Sequence, residues 1–273
     1  MDPVIIDFGN FSLRWYGVMA ALGFLTALAL MQINRRYAKL KSDQVSNICI
    51  IAMIAGIIGA RIFFVLLKWS EYFKHHPQDI FRVDKGGLVF YGGFILAAVI
   101  LFFYIKKICR ADSIRCLDVV APALAAAHAL GRIGCFFNGC CYGRPTEMPW
   151  GVVYKLGSEP FKQYKEAAPL HPVQLYEMIL NLLLAALLFY LVRKCRRGVA
   201  MSAYILGYGI LRFVVEFFRG DHPEDELVWG VLTPAQTIGL VMIPLGIALL
   251  VYFIWFAPVK ADGKLSEKSE KAA

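Results

Sequence analysis

The sequence predicts an all-α integral membrane protein with about seven transmembrane helices, and three observations carry that expectation. The 273 residues are 59% hydrophobic and only 18% charged, with a mean hydropathy of +0.57; ordinary soluble domains are roughly 45–50% apolar. The apolar residues fall in runs long enough to cross a hydrocarbon core of about 30 Å, which takes roughly 20 residues at about 1.5 Å each. The links between the runs alternate between strongly basic and mixed or acidic.

Seven candidate runs appear, approximately 12–33, 45–67, 88–105, 117–137, 173–192, 201–218 and 235–255. The first follows a start without a basic n-region and has no small-residue cleavage site, so it is expected to be retained. The second, which includes "ICIIAMIAGIIGARIFFVLL", is interrupted only by Arg61. The third is short and the fourth ends in the glycine-rich "GRIGCFFNG", so both are expected to be partly irregular where protein or water shields the backbone. The fifth opens at Pro172, a good first-turn residue, and closes on the basic "RKCRR". The sixth carries Arg212, Glu216 and Arg219, and the seventh leads into a lysine-rich tail. Residues 1–257 therefore read as one polytopic membrane domain, and 258–273 as a short polar tail expected to be disordered. No internal repeat is visible, and the longest stretches outside the spans are 68–87 and 144–170.

Loop charge sets the expected orientation. Links 34–44, 106–115 and 193–197 and the tail are rich in lysine and arginine, whereas the alternate links are mixed or, at "DHPEDE", acidic. Basic links belong in the cytoplasm, which puts the N-terminus outside and the C-terminus inside. The formal charge of +9 then reads as topology and contact with anionic membrane lipids, with no nucleic-acid partner.

Charges inside spans are costly, an arginine at a helix centre by roughly 2.5–3.5 kcal/mol on insertion scales, so each is a functional candidate. Arg132 lies near the outer end of the fourth span. In "YILGYGILRFVVEFFRGD" the steps of four and three put Arg212, Glu216 and Arg219 on one stripe that continues back through Tyr208 and Tyr204. A self-neutralising ion pair explains part of that stripe, but two arginines against one carboxylate, with Arg132 at similar depth, leave a positive surplus that points to an anionic ligand. Arginine suits phosphate, since its planar fork donates two parallel hydrogen bonds. Arg61 is single and deeper, so a structural role is expected there. In "LHPVQLYE", His171, Gln174 and Glu177 recur at three-residue steps and so share a face at the outer surface. Cys135, Cys140 and Cys141 fall on the outer side, where a disulfide can form. "CFFNGCC" is not a zinc spacing, and no metal or other cofactor is expected; these cysteines read as small packing residues.

Taken in order, "RWYG", "GGLVFYGGF", "GRIGCFFNGCCYGR", "HPVQLYE" and "RFVVEFFR" resemble the prolipoprotein diacylglyceryl transferases of bacterial inner membranes. The resemblance implies a multi-pass inner-membrane enzyme with a periplasmic N-terminus. Such an enzyme moves the sn-1,2-diacylglyceryl group of phosphatidylglycerol onto the lipobox cysteine thiol of prolipoprotein signal peptides and releases glycerol phosphate. It implies that Arg132 binds the lipid headgroup, with Asn138, Gly139, Gly143 and Arg144 in the same signature. It also implies that Arg212 is essential, with Glu216 and Arg219 in register and Tyr16 matching the tyrosine of the first span; His171 joins this expected binding set. Three positions depart from the family pattern: Tyr91 replaces a histidine proposed as base, Cys135 an asparagine and Cys140 a glutamate.

The chemistry implied is displacement at the glycerol carbon that bears the phosphate. A thiol must be presented as thiolate, and charge gathering on the departing phosphate must be stabilised away from water. Arg132 and Arg212 suit the second task. For the first, His128, four residues before Arg132 and on the same helical face, and Tyr91 are the candidates. An unperturbed histidine titrates at about 6.5 and a tyrosine at about 10, which favours His128 near neutral pH, although a helix-packing histidine reads equally well. Two other classes stay open: a membrane carrier for an anionic solute or phospholipid, which would spread its charges along a route to both faces, and a membrane redox or metal protein built on the outer cysteines.

Overall fold

The structure, a computed structural model, describes residues 3–7, 9, 12–82, 87–164, 168–221, 228 and 231–257. The tail 258–273 and most of the acidic stretch lie outside the described residues. The chain opens on a small hairpin, β1 (Val4–Asp7) paired antiparallel with β2 (Ser12–Arg14). The Asp7 side chain accepts from Gly9 N at 2.9 Å and Ser12 Oγ at 3.3 Å and closes the turn. The strand takes three residues from the predicted first span.

The long helices follow as α1 (Trp15–Asn34), α2 (Ser42–Leu67), α3 (Phe90–Phe103), α4 (Ser113–Asn138), then after the short α5 (Glu159–Tyr164) come α6 (Val173–Lys194), α7 (Val199–Glu216) and α8 (Pro234–Val251). Wider turns at Tyr104–Cys109 and Tyr252–Phe256 prolong α3 and α8. Among the described residues seven helices are long and apolar enough to cross a membrane. Their outward faces are lined by side chains such as Ile54, Ile57 and Ile58 of α2 and Val241 and Leu245 of α8, which suits hydrocarbon as the surrounding solvent.

The fourth span is not irregular, as its glycines led us to expect. It is one continuous helix of 26 residues that passes through Pro122, Gly131 and Gly134. Asp112 caps its start, four residues before the predicted boundary, by accepting from Ile114 N at 3.0 Å and Arg115 N at 3.4 Å. This helix is the axis of the bundle, packed along α1, α6 and α7, while α8 packs on α7 and α3 on α2. The α2–α3 pair meets backbone to backbone: a Cβ on Gly59 would lie 2.5 Å from Gly92 O, and one on Gly93 equally close to Gly56 O. Small residues are the usual device for such close helix contacts in lipid.

At one end of the bundle the basic links converge. Arg197 pairs with Asp112 at 2.8 Å, Arg193 Nε donates to Asn34 Oδ1 at 3.2 Å, and buried Asp118 accepts from Gly198 N at 2.6 Å and Met201 N at 3.0 Å, capping α7. The C-terminal ends of α4 and α7 and the N-terminal ends of α1, α3 and α6 therefore lie at the other end. Arg61 belongs to that other end and has the structural role expected. Its guanidinium donates to the carbonyls of Asp79 at 2.6 Å, Ile80 at 2.8 Å and Gly87 at 3.1 Å, and so ties the loop after α2 to that helix.

Candidate active site

The end of the bundle opposite the basic links holds an ionic centre built on three helices. From α4 come His128 and Arg132, one turn apart; from the first turns of α6 comes Glu177; from the last turns of α7 come Arg212 and Glu216. Glu177, 1% exposed, is the hub. Its Oε2 lies 2.5 Å from Arg132 Nε and 3.4 Å from His128 Nε2, and its Oε1 accepts from Arg212 Nη1 at 2.9 Å. The same Arg212 nitrogen lies 2.8 Å from Glu216 Oε2. Glu216 Oε1 accepts from Thr233 Oγ1 at 2.9 Å, and Arg219 reaches Glu216 at 3.5 Å while gripping Asp221 through two bonds of 2.9 Å.

The positive surplus counted from the sequence is not present. Arg132, Arg212 and Arg219 face Glu177, Glu216 and Asp221, three charges of each sign. The donors, however, are only partly used. Among the described residues Arg132 engages protein through Nε alone and Arg212 through Nη1 alone, so Nη1 and Nη2 of Arg132, and Nε and Nη2 of Arg212, remain for another acceptor. Both side chains keep some exposure, 13% and 14%.

Arg132 Nε also donates to His128 Nε2 at 3.1 Å. The same His128 nitrogen lies 3.4 Å from the Glu177 carboxylate, so it meets a donor on one side and an acceptor on the other. The ring is braced edge-on by Tyr208, which stacks on Tyr204.

Beside this centre the chain forms a shelf. Gly139 ends α4 in the left-handed region at φ 72°, and Cys141 follows at φ 58°. Gly143 N then donates to His171 O at 3.1 Å, and Arg144 N to Phe218 O at 2.9 Å. Arg144, exposed, adds Nε to Arg219 O at 2.9 Å. Gln174 pins the turn by donating to Cys140 O at 2.8 Å, and holds Tyr154 Oη at 3.0 Å. Burial pushes the Tyr154 phenol up to about 12, so it stays protonated. The thiols of Cys135, Cys140 and Cys141 are free. Hydrogen bonds from Cys135 and Cys140, helped by the Arg132 and Arg219 guanidiniums, hold the Cys141 thiol well below its usual range.

The structure thus brings together Arg132, His128, Arg212, Glu216 and Arg219, and sets Gly143, Arg144 and His171 on the adjoining shelf. His171 points elsewhere: its Nδ1 lies 3.1 Å from Tyr176 Oη and its ring packs on Phe218. Asn138 is exposed and its Nδ2 faces Cys140 Sγ at 3.6 Å, away from the carboxylates. Tyr16 is half exposed and lies against Gly134 on α4. Tyr91 lies on α3, which packs on α2, and is 55% exposed. Glu177 is the residue that sequence reasoning undervalued; it was visible as a carboxylate on a polar helix face, but the two arginines it joins lie on other helices.

Seven apolar helices around a buried arginine–carboxylate centre at one end define a multi-pass membrane protein with an intramembrane polar site. Residues 3–252 match the family model of prolipoprotein diacylglyceryl transferase. The chain is 35% identical over 248 residues to the phosphatidylglycerol–prolipoprotein diacylglyceryl transferase of Clostridium tetani (strain Massachusetts / E88), covering 90% of this chain and 96% of the relative. It is 35% identical over 260 residues to the protein of that name from Pseudoalteromonas translucida (strain TAC 125), covering 92% of each. A third, from Pasteurella multocida (strain Pm70), is 35% identical over 255 residues, 92% of this chain and 91% of the relative. The chain belongs to the prolipoprotein diacylglyceryl transferase family.

Proposed function

We propose that this chain transfers the sn-1,2-diacylglyceryl group of phosphatidylglycerol to the lipobox cysteine thiol of prolipoproteins in the bacterial inner membrane, with no nucleic-acid partner. The observation that carries the reading is the pair of arginines, Arg132 and Arg212, held on one buried carboxylate with most of their donors unspent. A phosphodiester seated across the two forks replaces water at groups already oriented, so the negative charge that grows on the departing glycerol phosphate meets donors that need not reorganise. The cysteine sulfur attacks the glycerol carbon, the carbon–oxygen bond to phosphate breaks, and the thiol proton passes to a base. His128 is the base this geometry favours, reached directly or through one water, because its imidazole belongs to the same centre as Arg132 and Glu177. Tyr91 comes from the other helix pair and serves at the headgroup or the leaving oxygen. Tyr16, Asn138, Gly143, Arg144, Glu216, Arg219 and His171 complete the lipid-binding surround, Glu216 and Gly143 by holding its framework.

The carrier reading has less support, since the clustered charges sit at one end and buried Asp118, toward the other, is spent on capping α7. The deciding experiment supplies purified protein with phosphatidylglycerol and a lipobox peptide and follows the peptide by mass spectrometry. The expected product carries the diacylglyceryl group on its cysteine, with glycerol phosphate released in equal amount. Unmodified peptide, with phosphatidylglycerol merely redistributed across vesicles, would favour the carrier.

A further inference from the structure

We propose that Cys135, Cys140 and Cys141 form a three-thiolate site for one soft, thiophilic metal ion, of the Zn2+ or Cu+ class, beside Arg132 at the end of α4. Among the described residues these three sulfur atoms converge, all within 4.8 Å of one another. A metal–sulfur bond of about 2.3 Å places two sulfurs on one ion roughly 3.8–4.0 Å apart, so closing on an ion takes side-chain rotations of about 1 Å or less.

The spacing looks wrong for a metal site only if the ligands are assumed to lie on a Cys-x-x-Cys turn. Here Cys135 sits in the last turn of α4, the helix stops at Asn138, and Gly139 at φ 72° reverses the chain. Cys140 N then bonds back to Cys135 O at 3.2 Å, and Cys141 adopts φ 58°, a conformation cysteine takes rarely. Both sulfurs are thereby folded over the helix end onto Cys135. The turn is anchored by protein alone, through Gln174 to Cys140 O and Arg144 N to Phe218 O, so the ligand set is arranged before any ion arrives. Thiolates select soft ions over the hard cations that carboxylates prefer. Bound, all three sulfurs are thiolates and the protons they still held are released; the site then carries one net negative charge with Zn2+ and two with Cu+. Asn138 Nδ2, 3.6 Å from Cys140 Sγ, supplies an outer-sphere donor.

The test uses the full chain, reduced and stripped with chelator, in a form where Cys49, Cys109, Cys116 and Cys195 are serine. Titration with Cd2+, as the probe for the Zn2+ class, is followed by the sulfur-to-metal charge-transfer band; Cu+ is titrated against a chromophoric chelator; native mass spectrometry counts ions. One ion per chain is expected, in whichever arm binds more tightly, and any one of Cys135→Ser, Cys140→Ser or Cys141→Ser should weaken it by roughly a hundredfold. Should the fourfold variant fail to fold, wild type against the triple serine variant must differ by one ion. Uptake no greater than in a cysteine-free chain, uptake indifferent to Cys141→Ser, or an intact mass lower by two hydrogens that persists after reduction would overturn the site.

Discussion

Arg132 and Arg212 lean on the same Glu177 carboxylate, so each is positioned by a partner that the other shares. Removing a preorganised donor at a developing phosphate typically costs about 2.7–4 kcal/mol, or roughly 10²–10³ in rate. Arg132→Ala and Arg212→Ala are each expected to fall by that factor in the peptide assay at saturating lipid, with the protein still inserted. Lysine should rescue either poorly, because it lacks the fork; near wild-type turnover in an alanine variant removes that residue from the chemistry. His128 calls for a different readout. A base must be neutral to take the thiol proton, so the wild-type rate should fall toward low pH, and His128→Gln should lose both that limb and most activity. An unchanged profile in His128→Gln, with Tyr91→Phe inactive, would transfer the role to Tyr91. The arginines were legible because a charge in an apolar run is costly and needs a partner or a ligand, although the sequence could not tell which: Arg61 holds a loop. Glu177 was legible as a polar-face residue and no further, since its meaning lies in partners 45 residues before it and 35 after it in the chain, which only tertiary packing brings together.

Elements were legible to within a few residues where hydropathy alone decides, and not where a side chain or a glycine decides. The start of α4 belongs to Asp112, and the hairpin before α1 depends on local bonds from Asp7; neither leaves a mark on hydropathy. The glycines of the fourth span marked a place of close contact correctly and a break incorrectly: a Cβ on Gly134 would meet the Tyr16 backbone at 3.2 Å, while the helix runs on to Asn138. Gly143 is the sharper case. A Cβ there would collide with the carbonyl of His171 and lie 2.8 Å from the Val173 side chain, so the shelf cannot keep its place against α6. Gly143→Ala is expected to destabilise the protein by about 1–3 kcal/mol, as overpacking does, and to cut transfer as well, because the shelf carries Arg144 to the site. Thermal unfolding in detergent and the peptide assay check the two effects, and an unchanged melting temperature would mean that the shelf yields freely.

For the whole molecule, the decisive relation is that the ionic centre and the basic links occupy opposite ends of one bundle. The links were grouped in the sequence by charge alone, and the structure joins them physically through Arg197–Asp112 and Arg193–Asn34. It is symmetrical, however, with respect to which end faces the cytoplasm; that choice rests on the lysines and arginines, which cross a membrane poorly. On the proposed function the donor lipid and the thiol meet at the Arg132 end, and the thiol of an exported protein is presented from outside. The C-terminus should therefore be cytoplasmic and the 144–170 link external. A green fluorescent protein joined after Ala273 should fluoresce in cells, and alkaline phosphatase joined after Gly157 should be active. The reverse pattern would put the ionic centre on the cytoplasmic side, where an exported thiol cannot reach it, and the positioning of the site as well as the orientation would have to be abandoned.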